Sequence, residues 1–230
     1  MSSTLSKNNT LRITAGLSDS KTITFSVPII YPNTTGSTGP YPVVIVYDFP
    51  SVPIPAKAAT IVLSVADIAE QDDLSSRGVG VFYDLYGNRT SSAGALMAWA
   101  WAVSRILDVL EEHPEYNINP SKVAVTGCSR NGKGAMVAGA FDERIALTIP
   151  QESGSGGDAC WRTSRDMLVN QHLATQTAWE IVDENVWFSQ KFDYFGRDNY
   201  TVGLLPVDHH ELAGLVAPRG ERVSVTSTVC

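Results

Sequence analysis

Short runs of β-branched and other apolar residues, with little polar alternation, constrain the fold of this chain most strongly. Continuous apolar runs of this kind indicate strands that are covered on both faces. We predict such strands at residues 43–47, 59–65, 79–83, 122–126 and 145–150. Helical segments at about 92–112 and 133–141 lie between them, and the first ends before Pro114. This alternation predicts an α/β fold with a mostly parallel sheet.

The first 40 residues differ from the rest in composition, because they are rich in Ser, Thr and Gly. An alternating segment at 21–27 predicts an exposed or edge strand, and 31–41 has the composition of a loop. Residues 1–20 are expected to form a flexible arm on a single domain that spans 1–230. Over this length, 43% apolar and 18% charged residues can supply a sizeable core.

Charge and hydropathy argue against two classes of partner. The net charge is −7 and there is no basic run, whereas nucleic-acid binding requires clustered Lys and Arg. The longest apolar stretch, at 93–103, is 11 residues long. A membrane-spanning helix needs about 20. The cysteines match no zinc-binding pattern, and we expect no metal site; they are Cys128, Cys160 and Cys230.

The sharpest chemical signal lies at 125–134, where a predicted strand enters a Gly-rich turn with Ser129 at its tip and a helix follows. This order is typical of a nucleophile elbow, in which the helix N-terminus faces a developing oxyanion. Gly127 lies two residues before the serine, and Gly132 lies three after it, one place later than in G-x-S-x-G. On these residues alone, a plain βα turn with an idle serine remains the alternative.

The same residues nearly fit a phosphate-binding loop. Gly127, Gly132 and Lys133 have the spacing G-x-x-x-x-G-K. Gly134 follows them at the position where Ser or Thr would bind Mg²⁺. Nucleotide binding is therefore kept as a remote alternative.

An acidic residue, Glu152, follows the next predicted strand, 23 residues after Ser129. One βαβ step brings both residues to the carboxyl edge of the sheet, where ligands bind in open α/β sheets. An acid at that edge can orient a histidine base in a Ser-His-acid triad, although a capping or surface role is the alternative. His209 and His210 follow Asp208 and are the candidates for such a base within this chain.

Several longer stretches point to one family. The elbow reads GCSRNGKGA at 127–135, and the next strand reads RIALTIPQESGSGG at 144–157. Further along lie ACWR at 159–162, QT at 176–177, ENVWF at 184–188, DHHEL at 208–212 and APRG at 217–220. Together these stretches resemble the glucuronoyl esterases of carbohydrate esterase family 15, over most of 20–220. The resemblance favours the elbow over the phosphate loop.

The resemblance implies a fold, an activity and a set of site residues. The fold would be an α/β-hydrolase-like three-layer sandwich. The activity would be hydrolysis of the ester between 4-O-methyl-D-glucuronic acid of glucuronoxylan and lignin alcohols. By position, the resemblance implies a nucleophile, a triad acid and an oxyanion-stabilising cation, which are Ser129, Glu152 and Arg130. It further implies three sugar-contacting residues, Lys133, Gln176 and Glu184. The last two are eight residues apart, so one helix could present both on one face.

The family also implies a setting for the enzyme. It would be secreted, glycosylated and disulfide-bonded, a monomer with no cofactor and no nucleic-acid or membrane partner. Four N-x-[S/T] sequons add faint support for secretion, at Asn8, Asn33, Asn88 and Asn199. The first seven residues lack the apolar segment of a signal peptide.

The sequence departs from the family pattern in ways that bear on catalysis. The family's catalytic histidine and a sugar-stacking tryptophan lie in downstream segments that have no counterpart here. The resemblance therefore implies an incomplete triad, in a chain truncated at both ends with its C-terminal part missing. Cys128 is expected to have lost its disulfide partner, and Cys230 could replace the partner of Cys160. A catalytically inactive protein that binds uronosyl carbohydrate is the main alternative.

Overall fold

The computed structural model describes residues 1–18, 20–33, 39–87, 93–198 and 200–223. Within them one sheet is formed by β1 (Ser2–Leu5), β2 (Thr10–Ser18), β3 (Lys21–Ile30), β4 (Tyr41–Tyr47), β5 (Ala59–Leu63), β6 (Ile118–Cys128), β7 (Ile145–Gln151) and β8 (Gly220–Glu221). Their spatial order is β1-β2-β3-β5-β4-β6-β7-β8. β1, β2 and β3 pair antiparallel, and β3 pairs antiparallel with β5. From β5 to β8 all pairs are parallel, which confirms the mostly parallel sheet.

The described helices are α1 (Val65–Ile68), α2 (Val81–Tyr86), α3 (Ala95–Glu112), α4 (Arg130–Phe141), α5 (Trp161–Val169), α6 (Ala178–Glu184) and α7 (Leu212–Val216). α3 and α4 pack on each other, and α4 also packs on β6 and β7. None of the helices in the described ranges is long and apolar enough to cross a membrane.

The core lies between the central strands and α3. In β4, Val43, Ile45 and Tyr47 are almost completely buried, as expected of a strand covered on both faces. In α3, Trp99 is fully buried, and its indole N–H donates a 2.9 Å hydrogen bond to the carbonyl of Ala69. This bond satisfies the one polar atom of a large apolar side chain.

Two predictions about the N-terminal half are wrong. Residues 1–20 are not a flexible arm, because β1 and β2 pair in the sheet and bury Leu11 and Ile13. The strand predicted at 79–83 is instead the start of α2, which Gly80 precedes with a φ of 122°. A short apolar run does not by itself distinguish a buried strand from a buried helix.

The helix predicted from about Ser92 begins at Ala95, and it ends at Glu112 as predicted. Its candidate caps, Ser91 and Ser92, lie outside the described residues. β4 lies between β5 and β6, so the strand order reverses beside it. In open α/β sheets the carboxyl ends of strands at such a reversal form the ligand-binding edge.

Candidate active site

Ser129 lies at the turn that joins the carboxyl end of β6 to α4. Its backbone has φ 58° and ψ −123°, and its side chain is exposed. A non-glycine residue with positive φ is uncommon, and this strain is typical of functional turns. The amide of Ser129 donates to the carbonyl of Gln151 at 3.0 Å, and its carbonyl accepts from the amide of Lys133 at 3.0 Å. The turn is therefore held from both sides, with the hydroxyl facing solvent at the start of a helix.

Two glycines permit this turn through close packing. A Cβ at Gly127 would lie 2.4 Å from the carbonyl oxygen of Asn131, and one at Gly132 would lie 2.1 Å from that of Gln151. Asn131 also donates to the backbone carbonyl of Tyr47 at 3.1 Å. The glycines flagged in the sequence are thus required by backbone contacts inside the elbow.

Glu152 stands beside the elbow, at the end of the neighbouring strand. Cys128 pairs with Gln151 across β6 and β7, so Ser129 and Glu152 are the next residues after a paired position. Glu152 also has a positive φ, 48°, and is half-buried. The βαβ step therefore brings the two residues to one edge, as the sequence predicts. Arg130 is the first residue of α4 and is exposed there.

Lys133 lies one turn into α4 and is 6% exposed. Its ammonium lies 5.3 Å from the centre of the Trp187 indole. Burial lowers the pKa of Lys133, and the carboxylates of Glu184 and Asp158 oppose this effect. A buried ammonium with two acidic neighbours is suited to donating hydrogen bonds to a bound polar group.

Gln176 and Glu184 lie close to each other, although not on one helix. Gln176 precedes α6, whose N-cap is Thr177, and Glu184 is the last residue of the helix. The expectation that one helix face presents both is therefore wrong. The side chains nevertheless meet, since Nε2 of Gln176 donates to Oε2 of Glu184 at 2.8 Å. The three predicted sugar contacts thus converge, because the Glu184 carboxylate also neighbours Lys133.

Comparison with known proteins decides the family. The model of fungal glucuronyl esterases matches residues 14–226. This chain belongs to the fungal glucuronyl esterase family. A 4-O-methyl-glucuronoyl methylesterase of Wolfiporia cocos is 56% identical over 210 residues, which are 91% of this chain and 50% of that protein. One from Cerrena unicolor is also 56% identical, over 91% of this chain and 43% of its own length. The chain therefore spans about half the length of these relatives.

Solved structures agree with the fold. The glucuronoyl esterase catalytic domain from Hypocrea jecorina has a TM-score of 0.89 and 51% identity, covering 98% of this chain and 60% of that one. A serine-to-alanine mutant of the glucuronoyl esterase from Sporotrichum thermophile, in complex with methyl 4-O-methyl-β-D-glucopyranuronate, has a TM-score of 0.85 and 44% identity. That match covers 96% of this chain and 58% of the other. The predicted α/β-hydrolase fold is confirmed.

In this glucuronyl esterase family member, no histidine side chain hydrogen-bonds to Ser129 within the described residues. Nδ1 of His209 pairs with the carbonyl of Gly157 at 2.7 Å, and its ring stacks on Trp161 at 4.4 Å. Burial lowers the pKa of His209 to about 4. His210 is exposed, and its Nδ1 lies 3.6 Å from Asp208. The structure therefore gives both histidines other partners than the nucleophile.

The most connected acid in this region, Asp208, has a structural role that the sequence did not reveal. It accepts hydrogen bonds from the amides of Trp161 at 2.8 Å, Arg162 at 3.1 Å and His209 at 2.6 Å. Burial disfavours its ionised form, but these bonds outweigh burial and lower the pKa of Asp208. The carboxylate thus joins the start of α5 to the segment before α7.

The state of the cysteines contradicts two expectations about disulfide bonds. Cys128 is disulfide-bonded, so the expectation that it has lost its partner is wrong. Cys160 is a free thiol that donates to Asp208 at 3.3 Å, so the expectation that Cys230 could replace its disulfide partner is wrong. Cys230 lies outside the described residues. Potential ligand atoms of Cys160, Asp208 and His210 lie within 4.8 Å of one another, a group that sequence spacing did not indicate. The Asp208 oxygens in this group already accept three backbone amides.

Proposed function

We propose that this chain carries the nucleophile and the sugar site of a serine carboxylester hydrolase. Its substrate would be the ester between 4-O-methyl-D-glucuronic acid of glucuronoxylan and lignin alcohols. The observation that carries the proposal is the placement of Ser129 and Glu152 at adjacent strand ends, both at positive φ. The names of the relatives, and the uronate ester bound to one of them, support the substrate class.

The chemistry would be acyl transfer in two steps. The hydroxyl oxygen of Ser129 attacks the carbonyl carbon of the uronoyl ester, and its proton passes to a base. The alcohol leaves with a proton, and the uronoyl group remains as an ester on Ser129. Water then attacks this ester, releases the uronic acid and restores the hydroxyl. The N-terminal amides of α4 and the Arg130 guanidinium would stabilise the oxyanion in both steps.

Glu152 would act through an imidazole rather than on the substrate. A carboxylate in this position orients a histidine and stabilises its cationic form. No described histidine is bonded to Ser129. The described residues therefore place no general base beside the nucleophile. Lys133, Gln176 and Glu184 would bind the sugar, with the ammonium and amide donating to hydroxyl oxygens and the carboxylate accepting from hydroxyl groups.

We also propose a secreted, glycosylated, monomeric protein that needs no cofactor. Two of the four sequon asparagines, Asn8 and Asn33, lie within the described residues, and both side chains are exposed. A glycan can be attached only where the asparagine is accessible, so these positions are suited to modification. Asn88 and Asn199 lie outside the described residues.

A second candidate function follows from the histidine positions. A protein with the sugar site but no base beside Ser129 would bind uronosyl esters without turning them over. The nucleotide-binding alternative receives no support from Lys133, whose ammonium lies against Trp187 and two carboxylates.

The experiment compares turnover with binding in the same protein. Hydrolysis of the methyl and benzyl esters of 4-O-methyl-D-glucuronic acid is followed for the wild type and Ser129→Ala. Calorimetry then measures binding of the methyl ester to Ser129→Ala and to Ser129→Ala/Lys133→Met. Serine-dependent hydrolysis supports the esterase. Lysine-dependent binding without hydrolysis supports the carbohydrate-binding alternative. The absence of both contradicts the proposed function, and Mg-ATP binding that Lys133→Met abolishes would revive the nucleotide alternative.

A further inference from the structure

The indole of Trp187 is fixed by contacts at both its side chain and its backbone. Trp187 is 7% exposed, and its ring N–H donates to Oε1 of Gln71 at 2.7 Å. Its carbonyl accepts from the amide of Leu96 at 3.3 Å, and the preceding carbonyl, of Val186, accepts from Ala95 at 3.0 Å. The two donating amides are at the start of α3, where N–H groups have no acceptor within the helix. The carbonyls of Val186 and Trp187 supply these acceptors. The ring is therefore a rigid surface anchored on the longest described helix.

The side chain that contacts this surface is Lys133. Its ammonium lies 5.3 Å from the ring centre, within the range of a cation–π interaction. The aliphatic part of its side chain passes Gly156, where a Cβ would lie 2.5 Å from Cδ. A lysine side chain ordinarily samples many rotamers, and ordering it costs free energy. Here an indole and a glycine confine it before any ligand arrives.

We propose that Trp187 is a positioning residue that holds the Lys133 ammonium in place for the uronosyl sugar, with Gly156 leaving the space that this conformation needs. The inference rests on the proposed function, since it concerns the same sugar site. Trp187 itself need not touch the substrate. It acts by removing the entropy cost of ordering Lys133 from the binding step, which is how preorganisation raises affinity.

The geometry also gives the ammonium a defined environment. The indole ring lies against the ammonium, and the Glu184 and Asp158 carboxylates lie near enough to raise its pKa against the effect of burial. A lysine ammonium has three donors, so those not directed at the carboxylates remain for hydroxyl oxygens of a sugar. Without the ring, we expect the Lys133 side chain to move toward the carboxylates or into solvent. Its N–H donors would then lose their orientation.

Two independent substitutions disturb this arrangement, one at the indole and one at the glycine. Trp187→Phe shortens the aromatic surface and removes the bond to Gln71. Gly156→Ala leaves the indole intact but forces the flexible Lys133 chain to shift. Trp99→Phe is the matched control for the first, because Trp99 is also buried and its ring N–H is also bonded, to Ala69. Gly203→Ala is the control for the second, because a Cβ there would meet nothing within 4 Å.

The experiment uses Ser129→Ala as the background, so that methyl 4-O-methyl-β-D-glucopyranuronate is bound but not consumed. Calorimetry should show that Trp187→Phe and Gly156→Ala each weaken binding about 3- to 30-fold, because the first reduces the cation–π surface under the ammonium and the second displaces the ammonium from it. Both controls should bind within about twofold of the background protein. In a Lys133→Met background, Trp187→Phe should have no further effect on affinity, because the two residues act as one unit.

A spectroscopic measurement separates positioning from general destabilisation. The ring current of Trp187 should shift the ε-CH₂ protons of Lys133 upfield in the NMR spectrum, and Trp187→Leu, which carries no ring, should abolish that shift. An unshifted Lys133, or additive effects of Trp187→Phe and Lys133→Met on affinity, would overturn the proposal. Failure of the proposed function has a different signature, in which Lys133→Met leaves binding unchanged or no binding occurs. In that case the NMR shift still decides whether Trp187 positions the lysine.

Discussion

Gln176 donates a 2.8 Å hydrogen bond to Glu184 across the two ends of α6, one residue lying before the helix and the other ending it. The bond fixes the orientation of the Gln176 amide. It also places this amide beside a carboxylate that opposes the lowering of the Lys133 pKa by burial. The three predicted sugar contacts are therefore coupled, and a change in one alters the others.

Glu184→Gln tests this coupling. Removal of the carboxylate leaves burial less opposed, so the pKa of Lys133 should fall further below its ordinary value. NMR titration of the Lys133 side chain measures the pKa directly. Glu112→Gln, an exposed position at the end of α3, is the control and should leave it unchanged. An unchanged or higher Lys133 pKa in Glu184→Gln would contradict the electrostatic argument.

The elbow predicts an asymmetry between two glycines in helices. Gly132→Ala should destabilise the protein by about 3 kcal/mol, because its Cβ would lie 2.1 Å from a backbone carbonyl that cannot rotate away. Gly214→Ala, in α7, should be neutral or stabilise by up to about 1 kcal/mol, because nothing lies within 4 Å and alanine favours helix. Chemical denaturation of both variants gives the comparison. Equal stability of the two would show that the elbow is not closely packed.

The central strands of the fold, and the meeting of the nucleophile and the acid in the site, could be predicted from the sequence for physical reasons. The buried strands beside the site are continuous apolar runs, and one βαβ step fixes where Ser129 and Glu152 meet. The first two strands, β1 and β2, were missed although Leu11 and Ile13 alternate with polar residues, because the Ser/Thr-rich composition outweighed that signal. In α2, aromatic and β-branched residues imitate a strand over a short run.

The remainder of the site depends on contacts between residues far apart in sequence. Trp187 meets Gln71 across 116 positions, and Asp208 meets Trp161 across 47. No local spacing encodes such pairs, so neither the fixed indole nor the anchoring carboxylate was predicted. The family resemblance identified Lys133 as a candidate sugar contact, but it did not indicate which side chains position Lys133.

His209 predicts a pH dependence of stability. Its folded-state pKa is about 4, below the ordinary value of 6.5, so the unfolded chain binds more protons between these values. Its contribution is fully present above pH 6.5 and is lost as the pH falls toward 4, by about 3 kcal/mol in all. Urea denaturation at pH 7.5 and pH 5 measures this slope. His209→Gln should flatten it, whereas His172→Gln, at an exposed position, should not. An identical slope in both variants would contradict the assignment.

The ionised carboxylate of Asp208 predicts a loss of folding stability at lower pH. Its pKa lies below the ordinary range because backbone amides stabilise the ionised form. The contribution is therefore present above about pH 4 and is lost as the pH falls through the folded-state pKa. Asp208→Ala should cost about 3 kcal/mol near neutral pH, since it leaves the amides of Trp161, Arg162 and His209 without acceptors. Asp198→Ala, on an exposed turn, should cost much less.

The last prediction concerns the base that no described histidine supplies. If Ser129 and Glu152 are arranged for a triad, added imidazole should occupy the place between them and accept the Ser129 proton. Hydrolysis of the methyl ester of 4-O-methyl-D-glucuronic acid should then rise with imidazole concentration in the wild type. Because a triad base is worth on the order of 10⁴-fold or more in rate, even poor occupancy should be measurable.

Two variants separate this rescue from ordinary base catalysis in solution. Ser129→Ala should show only the background rate that imidazole produces without protein. Glu152→Gln should keep the nucleophile but lose most of the rescue, because an amide cannot stabilise the imidazolium that forms. Rescue of equal size in the wild type and Ser129→Ala would rule out a serine mechanism at this site. Rescue of equal size in the wild type and in Glu152→Gln would show that Glu152 is not the triad acid. Ser129 would still be the nucleophile.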